Sequence, residues 1–279
     1  MKSSGLFIQN SAKLFLPLLK LSIISSTLEI VSHRLKQKFD VDVTLEPMKV
    51  PYRETIRKSA DAEGKHKKQS GGSGQYGHVF VKFDPLPDVN DDFRFVDKVV
   101  GGSVPRNFIP AVEKGLADCM ASGVLAGYPV TGVQATLYDG SYHAVDSDEM
   151  SFKMAAALAF KKGLKEADPI LLEPIYSLRI SIPEVYMGDV MGDLNKKRGR
   201  ILGMEPADNG RQIITAEAPL SELAKYATEL RSMTQARGSF EMSFARYEEA
   251  PATVAEKVIA AANGDDDKAS KDKDHKKKK

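Results

Sequence analysis

The chain has 279 residues, of which 42% are hydrophobic and 28% charged, which is enough to build about two folded domains. Its single cysteine, Cys119, excludes an internal disulfide framework, a four-cysteine zinc site and a CxxC redox pair. Removing the seven Lys and five Asp of residues 263–279 leaves 33 basic and 33 acidic residues, so the formal charge of +2 resides in that segment. Any contact with nucleic acid must therefore come from local basic patches.

The first 25 residues carry little pattern. Their apolar run is interrupted by Pro17 and Lys20 and lacks a small-residue cleavage site, which favours a plain extension over a signal or transit peptide. Ser26 and Glu29 then have capping-box spacing and predict the start of a helix. Residues 40–45 alternate between polar and apolar and predict a short strand, and prolines at 47 and 51 indicate a boundary near residue 48.

From residue 50 to 169 the pattern mixes strands with helices. Period-two patterns predict strands at His78–Phe83, Phe93–Val100 and Val133–Tyr138. Helical periodicity predicts helices over Phe108–Ala121, ended by Gly123, and over Met150–Lys165, with the acidic run from Asp146 to Glu149 at the start of the second.

In the third region the pattern predicts four strands, at Tyr176–Ile182, Arg200–Met204, Arg211–Ala218 and Phe240–Phe244. It also predicts two helices, over Glu184–Lys197, ended by Gly199, and over Leu220–Ser232. The turn Asp208-Asn-Gly210 favours a hairpin between the middle two strands. This βαββαβ order is typical of a ferredoxin-like domain, so the fold class is α+β. Residues 254–262 predict a short helix, and the charged residues 263–279 a disordered tail.

Gly72-Ser-Gly-Gln-Tyr-Gly77 matches the GxGxxG nucleotide fingerprint as text. A dinucleotide site needs a strand before the motif and a helix after it, whereas here a polar run precedes it and a strand follows. The kinase version fails because no His-Arg-Asp or Asp-Phe-Gly occurs, and no P-loop motif occurs either. The lysines at 65, 67 and 68 lead into the loop, and Gln75 and Tyr76 offer hydrogen bonding and stacking, which suits RNA or a solvated hairpin end.

A second turn, Tyr138-Asp-Gly-Ser-Tyr-His143, presents aromatic and imidazole groups. His143 has no Ser or Cys partner that would suggest a catalytic triad, and the five histidines lack metal-ligand spacing. A basic cluster in the ferredoxin-like region could hold phosphates or complement helix dipoles. Its members are Lys196, Lys197, Arg198, Arg200, Arg231, Arg237 and Arg246.

Six segments together resemble bacterial elongation factor G. They are Val50-Pro-Tyr-Arg-Glu-Thr-Ile56, Gln69-Ser-Gly-Gly-Ser-Gly-Gln-Tyr-Gly-His78, Tyr138-Asp-Gly-Ser-Tyr-His143, Tyr186-Met-Gly-Asp-Val-Met-Gly-Asp-Leu194, Arg198-Gly-Arg-Ile-Leu-Gly-Met204 and Leu230-Arg-Ser-Met-Thr-Gln-Ala-Arg-Gly238. The resemblance implies an unmatched leader (1–25), the end of the family's domain III (26–48), a ribosomal-protein-like βαβ domain IV (49–170), a ferredoxin-like domain V with a C-terminal helix (171–262) and the tail.

By this resemblance, the two loops form the end of domain IV that enters the decoding centre of the small ribosomal subunit and contacts tRNA and mRNA. The implied contact residues are Gly72, Ser73, Gly74, Gln75, Tyr76, Gly140, Ser141, Tyr142 and His143. The implied contacts to large-subunit rRNA are Lys196, Lys197, Arg198, Arg200, Arg231 and Arg237. The sequence departs from the family at Ser73, where Arg is common, and at Ala144, where an acid is common.

The resemblance implies a cytoplasmic, monomeric protein that binds the ribosome and has no membrane association. The family's GTPase domain has no counterpart in this sequence, so we expect no catalysis and no cofactor on this chain; GTP and magnesium belong to the full-length family, which drives translocation. A paralogue devoted to ribosome recycling or ribosome protection is one alternative. A nucleotide-binding enzyme that uses the Gly-rich loop is another.

Overall fold

The computed structural model describes residues 31–43, 48–69 and 74–262. The helices are 31–39 (α1), Ile109–Cys119 (α2), Glu149–Glu166 (α3), Met187–Lys196 (α4), Tyr226–Met233 (α5) and 252–262 (α6). The strands are Arg53–Ile56 (β1), Ala60–Lys68 (β2), Gln75–Pro85 (β3), Arg94–Asp97 (β4), Val133–Ser141 (β5), Pro169–Pro183 (β6), Arg200–Ala207 (β7), Arg211–Pro219 (β8) and Ser239–Glu249 (β9). The chain divides into two compact units.

The first unit, called here the four-stranded unit, has its described residues at 48–69, 74–175, 219–221 and 244–262. Its sheet has the order β2-β3-β5-β4, in which only β4 and β5 are parallel. Apolar side chains at period two on β3 and β5, such as Phe83 and Leu137, pack against apolar side chains of α2 and α3, such as Phe152 and Phe160 of α3. Burial of these faces is what holds the helices on one side of the sheet.

Glycines on two strands permit the close approach of α3. An added Cβ at Gly64 would lie 2.0 Å from the carbonyl oxygen of Ala155, and one at Gly77 would lie 2.4 Å from that of Ser151. Backbone atoms cannot move aside as a flexible side chain does, so these positions exclude any larger residue at the present helix–sheet distance. The first turn of α3 is thereby held against the end of the β2–β3 hairpin.

The second unit has the predicted βαββαβ order, formed by β6, α4, β7, β8, α5 and β9. In the sheet, β8 lies between β6 and β7 and β9 pairs with β6, which is a ferredoxin-like arrangement. Strand β1 also pairs with the first residues of β6, so that the sheet has five strands. Val190 and Leu194 of α4 and Tyr226 and Leu230 of α5 are buried, whereas Ala227 is half-buried. The predicted hairpin turn is also present, with Asn209 and Gly210 at φ of 60° and 66°.

Several local predictions are wrong. Residues 40–43 form no strand, and the remaining two positions of that prediction lie outside the described residues. The polar run before the Gly-rich loop belongs to β2, so a strand does precede the loop. Helix α2 ends at Cys119, so Gly123 does not end it. Glycine at 123 instead leaves room for the Glu54 carboxylate, because an added Cβ there would lie 2.0 Å from Oε2 of Glu54.

Helix α4 does not end in the way that the sequence suggested. The left-handed residue is Arg198, at φ of 57°, and not Gly199. The N–H groups of Arg198 and Gly199 bind the carbonyl oxygens of Asn195 and Leu194 at 3.2 and 2.8 Å, which is the Schellman pattern. Gly199 is needed because a Cβ there would lie 2.8 Å from the Leu194 carbonyl oxygen.

Candidate nucleic-acid interface

Two chain connections leave the same edge of the four-stranded sheet. Strand β2 ends at Lys68 and β3 begins at Gln75, while β5 ends at Ser141 and leads to the start of α3 at Glu149. The pairing of His78 with Ser141 places the beginning of β3 beside the end of β5. Residues 74–76 and 140–147 are therefore neighbours, and we call them the tip.

The carboxylate of Asp146 joins the two connections. Its Oδ1 accepts the backbone N–H of Gly74 at 2.9 Å, and its Oδ2 lies 3.2 Å from Nδ1 of His143. The Asp146 carbonyl oxygen also accepts the N–H of Tyr76 at 2.8 Å. Asp146 thus binds the first loop through its side chain and its backbone, and its own N–H donates to Nδ1 of His143 at 3.2 Å within the second loop. Because Nδ1 of His143 faces Asp146, Nε2 is the ring nitrogen placed to bind a ligand.

Ser147 adds a second set of bonds between the same segments. Its hydroxyl donates to the carbonyl oxygen of Tyr76 at 2.8 Å and accepts the N–H of His143 at 2.9 Å. Its own N–H donates to the His143 carbonyl oxygen at 3.1 Å. These bonds close the 143–147 turn on the beginning of β3, so the two loops behave as one bonded unit.

A chain of polar side chains runs across the sheet behind the tip. His78 has Nε2 2.9 Å from Oε1 of Glu63 and Nδ1 2.8 Å from Oγ of Ser141. The same Ser141 hydroxyl lies 2.8 Å from the hydroxyl of Tyr76. Within this series of side chains, His78 and Ser141 each contact two neighbours, and Glu63 and Tyr76 are its two ends. The contact with Ser141 therefore fixes the orientation of the Tyr76 ring.

The tip encloses a small polar cavity of about 140 Å³. Its lining residues are Lys67, Lys68, Gln69, Gly74, Gln75, Tyr76, His143 and Asp146. The side chain of His143 is 57% exposed, and Tyr142 and Gln75 are exposed as well. Gln75 Oε1 lies 3.1 Å from Nε2 of His66 on the opposing strand. The cavity offers two ammonium groups, an imidazole, two amides and the Asp146 carboxylate, which together are groups that bind ribose hydroxyls and base edges.

The structure describes most of the tip residues that the sequence singled out. It brings together seven of them: Gly74, Gln75, Tyr76, Gly140, Ser141, Tyr142 and His143. Gly72 and Ser73 lie outside the described residues. Asp146 and Ser147 were missed as tip residues, because the acidic run that contains them was interpreted only as a helix start.

Helix α3 begins at Glu149, one residue before the predicted start at Met150. Asp148 is its N-cap, and the Asp148 carboxylate accepts the Ser151 N–H at 2.6 Å. Hydrogen bonding to Ser151 holds the pKa of the Asp148 carboxyl below its usual value. The pKa of Asp139 is lowered in the same way by the Gly140 N–H. Two backbone turns beside the tip are thus fixed by ionised side chains.

The basic cluster of the ferredoxin-like unit is largely paired within that unit. Lys197 bridges Asp193 at 3.4 Å and Glu229 at 2.8 Å, and its side chain is only 14% exposed. Arg198 pairs with Glu222 at 3.2 Å and Arg200 with Glu217 at 2.8 Å. Arg237 binds the Tyr186 hydroxyl at 2.8 Å, and Lys196 and Arg231 are exposed. The cluster therefore presents less uncompensated charge than its composition suggests.

The Gly-rich loop does not fit a nucleotide. A phosphate cradle needs a helix N-terminus after the loop, whereas β3 follows here. The N–H of Gly74 at the described end of the loop already binds the Asp146 carboxylate, and that anion would repel a phosphate at the same position. Across the described ranges, no three His, Cys, Asp or Glu side chains converge as metal ligands do.

In the part of the chain that the structure describes, the helices are too short or too polar to cross a membrane.

Comparisons with known proteins identify both units. The profile described as elongation factor G, domain IV, matches residues 48–168, and that described as elongation factor G C-terminus matches residues 170–258. A solved protein of Thermus thermophilus is 41% identical, with a TM-score of 0.77 over 85% of this chain. The chain spans about a third of that protein, 35% of its length. The chain belongs to the elongation factor G family of translation factors, with that family's domain IV and C-terminus over nearly all of residues 48–258.

Proposed function

We propose that this chain is a ribosome-binding part of an elongation factor G-like protein, and that its tip enters the decoding centre of the small subunit. There Gln75, Tyr76, Tyr142 and His143 contact tRNA and mRNA. The family's role is GTP-dependent translocation during translation elongation. In this proposal GTP and magnesium act on a separate GTPase domain, and this chain is not an enzyme and takes no cofactor.

The observation that carries the proposal is the bonding of the two loops to each other through Asp146. Its carboxylate accepts the Gly74 N–H at 2.9 Å and its own N–H donates to Nδ1 of His143 at 3.2 Å, while the outer side chains stay exposed. A bonded tip loses little conformational freedom on docking, so more of its contact energy is retained as affinity. Polar groups that are held in place by a bonded tip are better suited to contact RNA bases and backbone than the same groups on a mobile loop.

The proposed action is steric and electrostatic. A protein tip that occupies the site vacated by tRNA blocks its return, and it needs no chemical step to do so. In the ferredoxin-like unit, exposed cations such as Lys196 and Arg231 contact large-subunit rRNA. Under this proposal the protein is a cytoplasmic monomer that works on the ribosome and not at a membrane.

Cosedimentation of the chain with ribosomes, in competition with full-length elongation factor G, tests the proposal. We expect His143→Ala and Gln75→Ala each to weaken binding about tenfold, the effect of losing one good polar contact. Both side chains are solvated, so the melting temperature should stay within a degree or two of the parent value. Glu113→Gln, an exposed position on α2, is the matched control. Wild-type affinity in both tip variants, or no competition, would refute the proposal.

Equilibrium dialysis with labelled GTP and ATP addresses the nucleotide alternative. We expect no retention of either nucleotide, because the described end of the Gly-rich loop is already bound by Asp146. Stoichiometric retention by the chain alone would favour a nucleotide-binding enzyme instead.

A further inference from the structure

The sheet of the four-stranded unit has a second face, turned away from α2 and α3. The residues of β3 that face the helices, such as Val79 and Val81, are fully buried. Their neighbours Tyr76, His78 and Phe80 alternate with them and therefore lie on the opposite side. We call this side the open face, and β2 contributes Glu63, Lys65 and Lys67 to it at the same period.

Aromatic rings line the open face. The His78 and Phe80 rings are 4.8 Å apart, and Phe80 is 6.2 Å from Tyr138. Tyr76 precedes them by one period-two step on the same strand, and Tyr138 is 38% exposed. Four rings in a row on a β-sheet are not needed for the core, which lies on the other side. A row of this kind is a surface on which flat bases can stack.

Hydrogen bonds hold two of these rings in place. The hydroxyl of Tyr76 binds Ser141, which in turn binds His78, at 2.8 Å each. The orientations of the Tyr76 and His78 rings are therefore set before any ligand arrives, so little side-chain entropy is lost on stacking there.

The charged groups of the open face differ in their contacts within the described ranges. The carboxylate of Glu63 lies 2.9 Å from Nε2 of His78. Lys65 and Lys67 are exposed, and neither forms a salt bridge with a carboxylate of the described ranges. Both lysines lie at the tip end of β2, beside Tyr76 and His78. This end of the face is thus aromatic and cationic together.

We propose that the open face binds single-stranded RNA, with bases stacked on Tyr76, Phe80 and Tyr138 and phosphates beside Lys65 and Lys67. The face is continuous with the tip through Tyr76, so a strand that leaves the tip can follow β3. Unpaired bases expose the flat surfaces that stacking requires, whereas bases within a duplex already stack on each other. The choice of RNA rests on the proposed function of the tip, but the surface itself is a separate one.

Fluorescence anisotropy of the full chain with a labelled 12-nucleotide RNA that cannot pair with itself tests this inference. We expect Phe80→Leu, which keeps apolar volume but removes the flat ring, to weaken binding about tenfold. The double variant Lys65→Ala/Lys67→Ala should lower the slope of log affinity against log salt by roughly 1.4, for two lost contacts to single-stranded phosphates. Lys162→Ala, on the exposed side of α3, should leave both affinity and slope unchanged.

Three results would overturn the inference. The first is duplex RNA of the same sequence binding as tightly as the single strand. The second is displacement of the RNA by polyglutamate at the same concentration of negative charges. That result would show that the surface binds acidic polymers in general and does not require bases. The third is an unchanged salt slope in the double lysine variant, whose exposed positions cannot affect folding. RNA binding without ribosome binding would refute only the proposed function, and the reverse would refute only this inference.

Discussion

The backbone N–H of Gly74 lies 2.9 Å from Oδ1 of Asp146, although the two residues are 72 positions apart. An added Cβ at Gly74 would lie 3.0 Å from the Asp146 carboxyl carbon, so a larger residue would require that side chain to shift. His143, in the same loop as Asp146, has its Nδ1 3.2 Å from the second oxygen of that carboxylate. The two glycine turns thus meet, and neither Gly74 nor His143 is buried.

Asp146→Ala should loosen the contact between the loops at Gly74, because it removes the acceptor for the Gly74 N–H, while the backbone bond to Tyr76 and the bonds of Ser147 remain. Each hydrogen bond to a charged group contributes about 1.5–3 kcal/mol when buried, and this partly exposed site calls for the lower end. We expect ribosome affinity to fall about tenfold and amide exchange at Gly74 to accelerate. Asp146→Asn keeps an acceptor oxygen for Gly74, so it should retain most of the protection. Equal exchange in wild type and Asp146→Ala would contradict this account.

The buried carboxylate of Glu54 is a second anchor of the four-stranded unit. It is 1% exposed and accepts the N–H groups of Leu125, Ala126 and Tyr128 at 2.9–3.0 Å. Glu54→Gln turns an NH₂ group toward N–H donors, so we expect the free energy of unfolding to fall by about 3 kcal/mol. Urea denaturation measures this, with the exposed Glu113→Gln as control, which should change stability by less than about 0.5 kcal/mol.

Elements that bury large apolar residues at a regular period were predictable from the sequence. Strands that bury small or polar residues were not. The helices and most strands were located because large apolar residues such as Phe152 and Phe160 repeat at the period of their element. Strand β2 was missed because its inward positions include Ala62 and Gly64, which give almost no hydrophobic signal. Strand β1 was missed because it buries Glu54, whose partners lie about 70 residues further along the chain.

The tip shows the same limit for the candidate site. Its glycines and exposed aromatic residues stood out by composition and by resemblance, but Asp146 stood in a run of acids that suits a helix start equally well. Only the folded chain distinguishes Asp146, which bridges the loops, from Asp148, which caps α3. Similarly, the pairing of Lys197 with Glu229 cannot be seen from a count of basic residues.

Stability should decrease in acid through Asp148. Its hydrogen bonds with Ser151 place the folded-state pKa below the ordinary value of 3.8, so the carboxylate stabilises the protein above that value. The contribution should be complete above about pH 5 and should disappear as the pH falls through 3.8 and then through the lower folded-state value. Asp148→Asn keeps a cap without the charge, so its urea midpoint should decline less between pH 5 and pH 2. Parallel declines would show that Asp148 is not involved.

Lys196 and Lys197 are adjacent in sequence but should respond differently to substitution. Lys196 is exposed, so Lys196→Ala should lower the salt dependence of ribosome binding by about one unit of log–log slope if it contacts a phosphate. Lys197 bridges Asp193 and Glu229, so Lys197→Ala should act on stability. We expect a loss of about 1–2 kcal/mol there, because two partly buried acids lose their cation. Salt-dependent cosedimentation and urea denaturation of both variants separate the two roles.

Two Gly→Ala substitutions should change stability in opposite directions. At Gly64, the new methyl group would lie 2.0 Å from the Ala155 carbonyl oxygen and 2.7 Å from the Ala159 nitrogen. Helix α3 must then move from the sheet, and we expect a loss of at least about 2 kcal/mol. Gly192, inside α4, has no neighbouring atom within 4 Å of the added carbon. Alanine there should raise the free energy of unfolding by up to about 1 kcal/mol, because it restricts the unfolded chain and favours helix. Urea denaturation of the two variants compares them directly, and a shift of the same sign in both would contradict the close packing of α3 on β2.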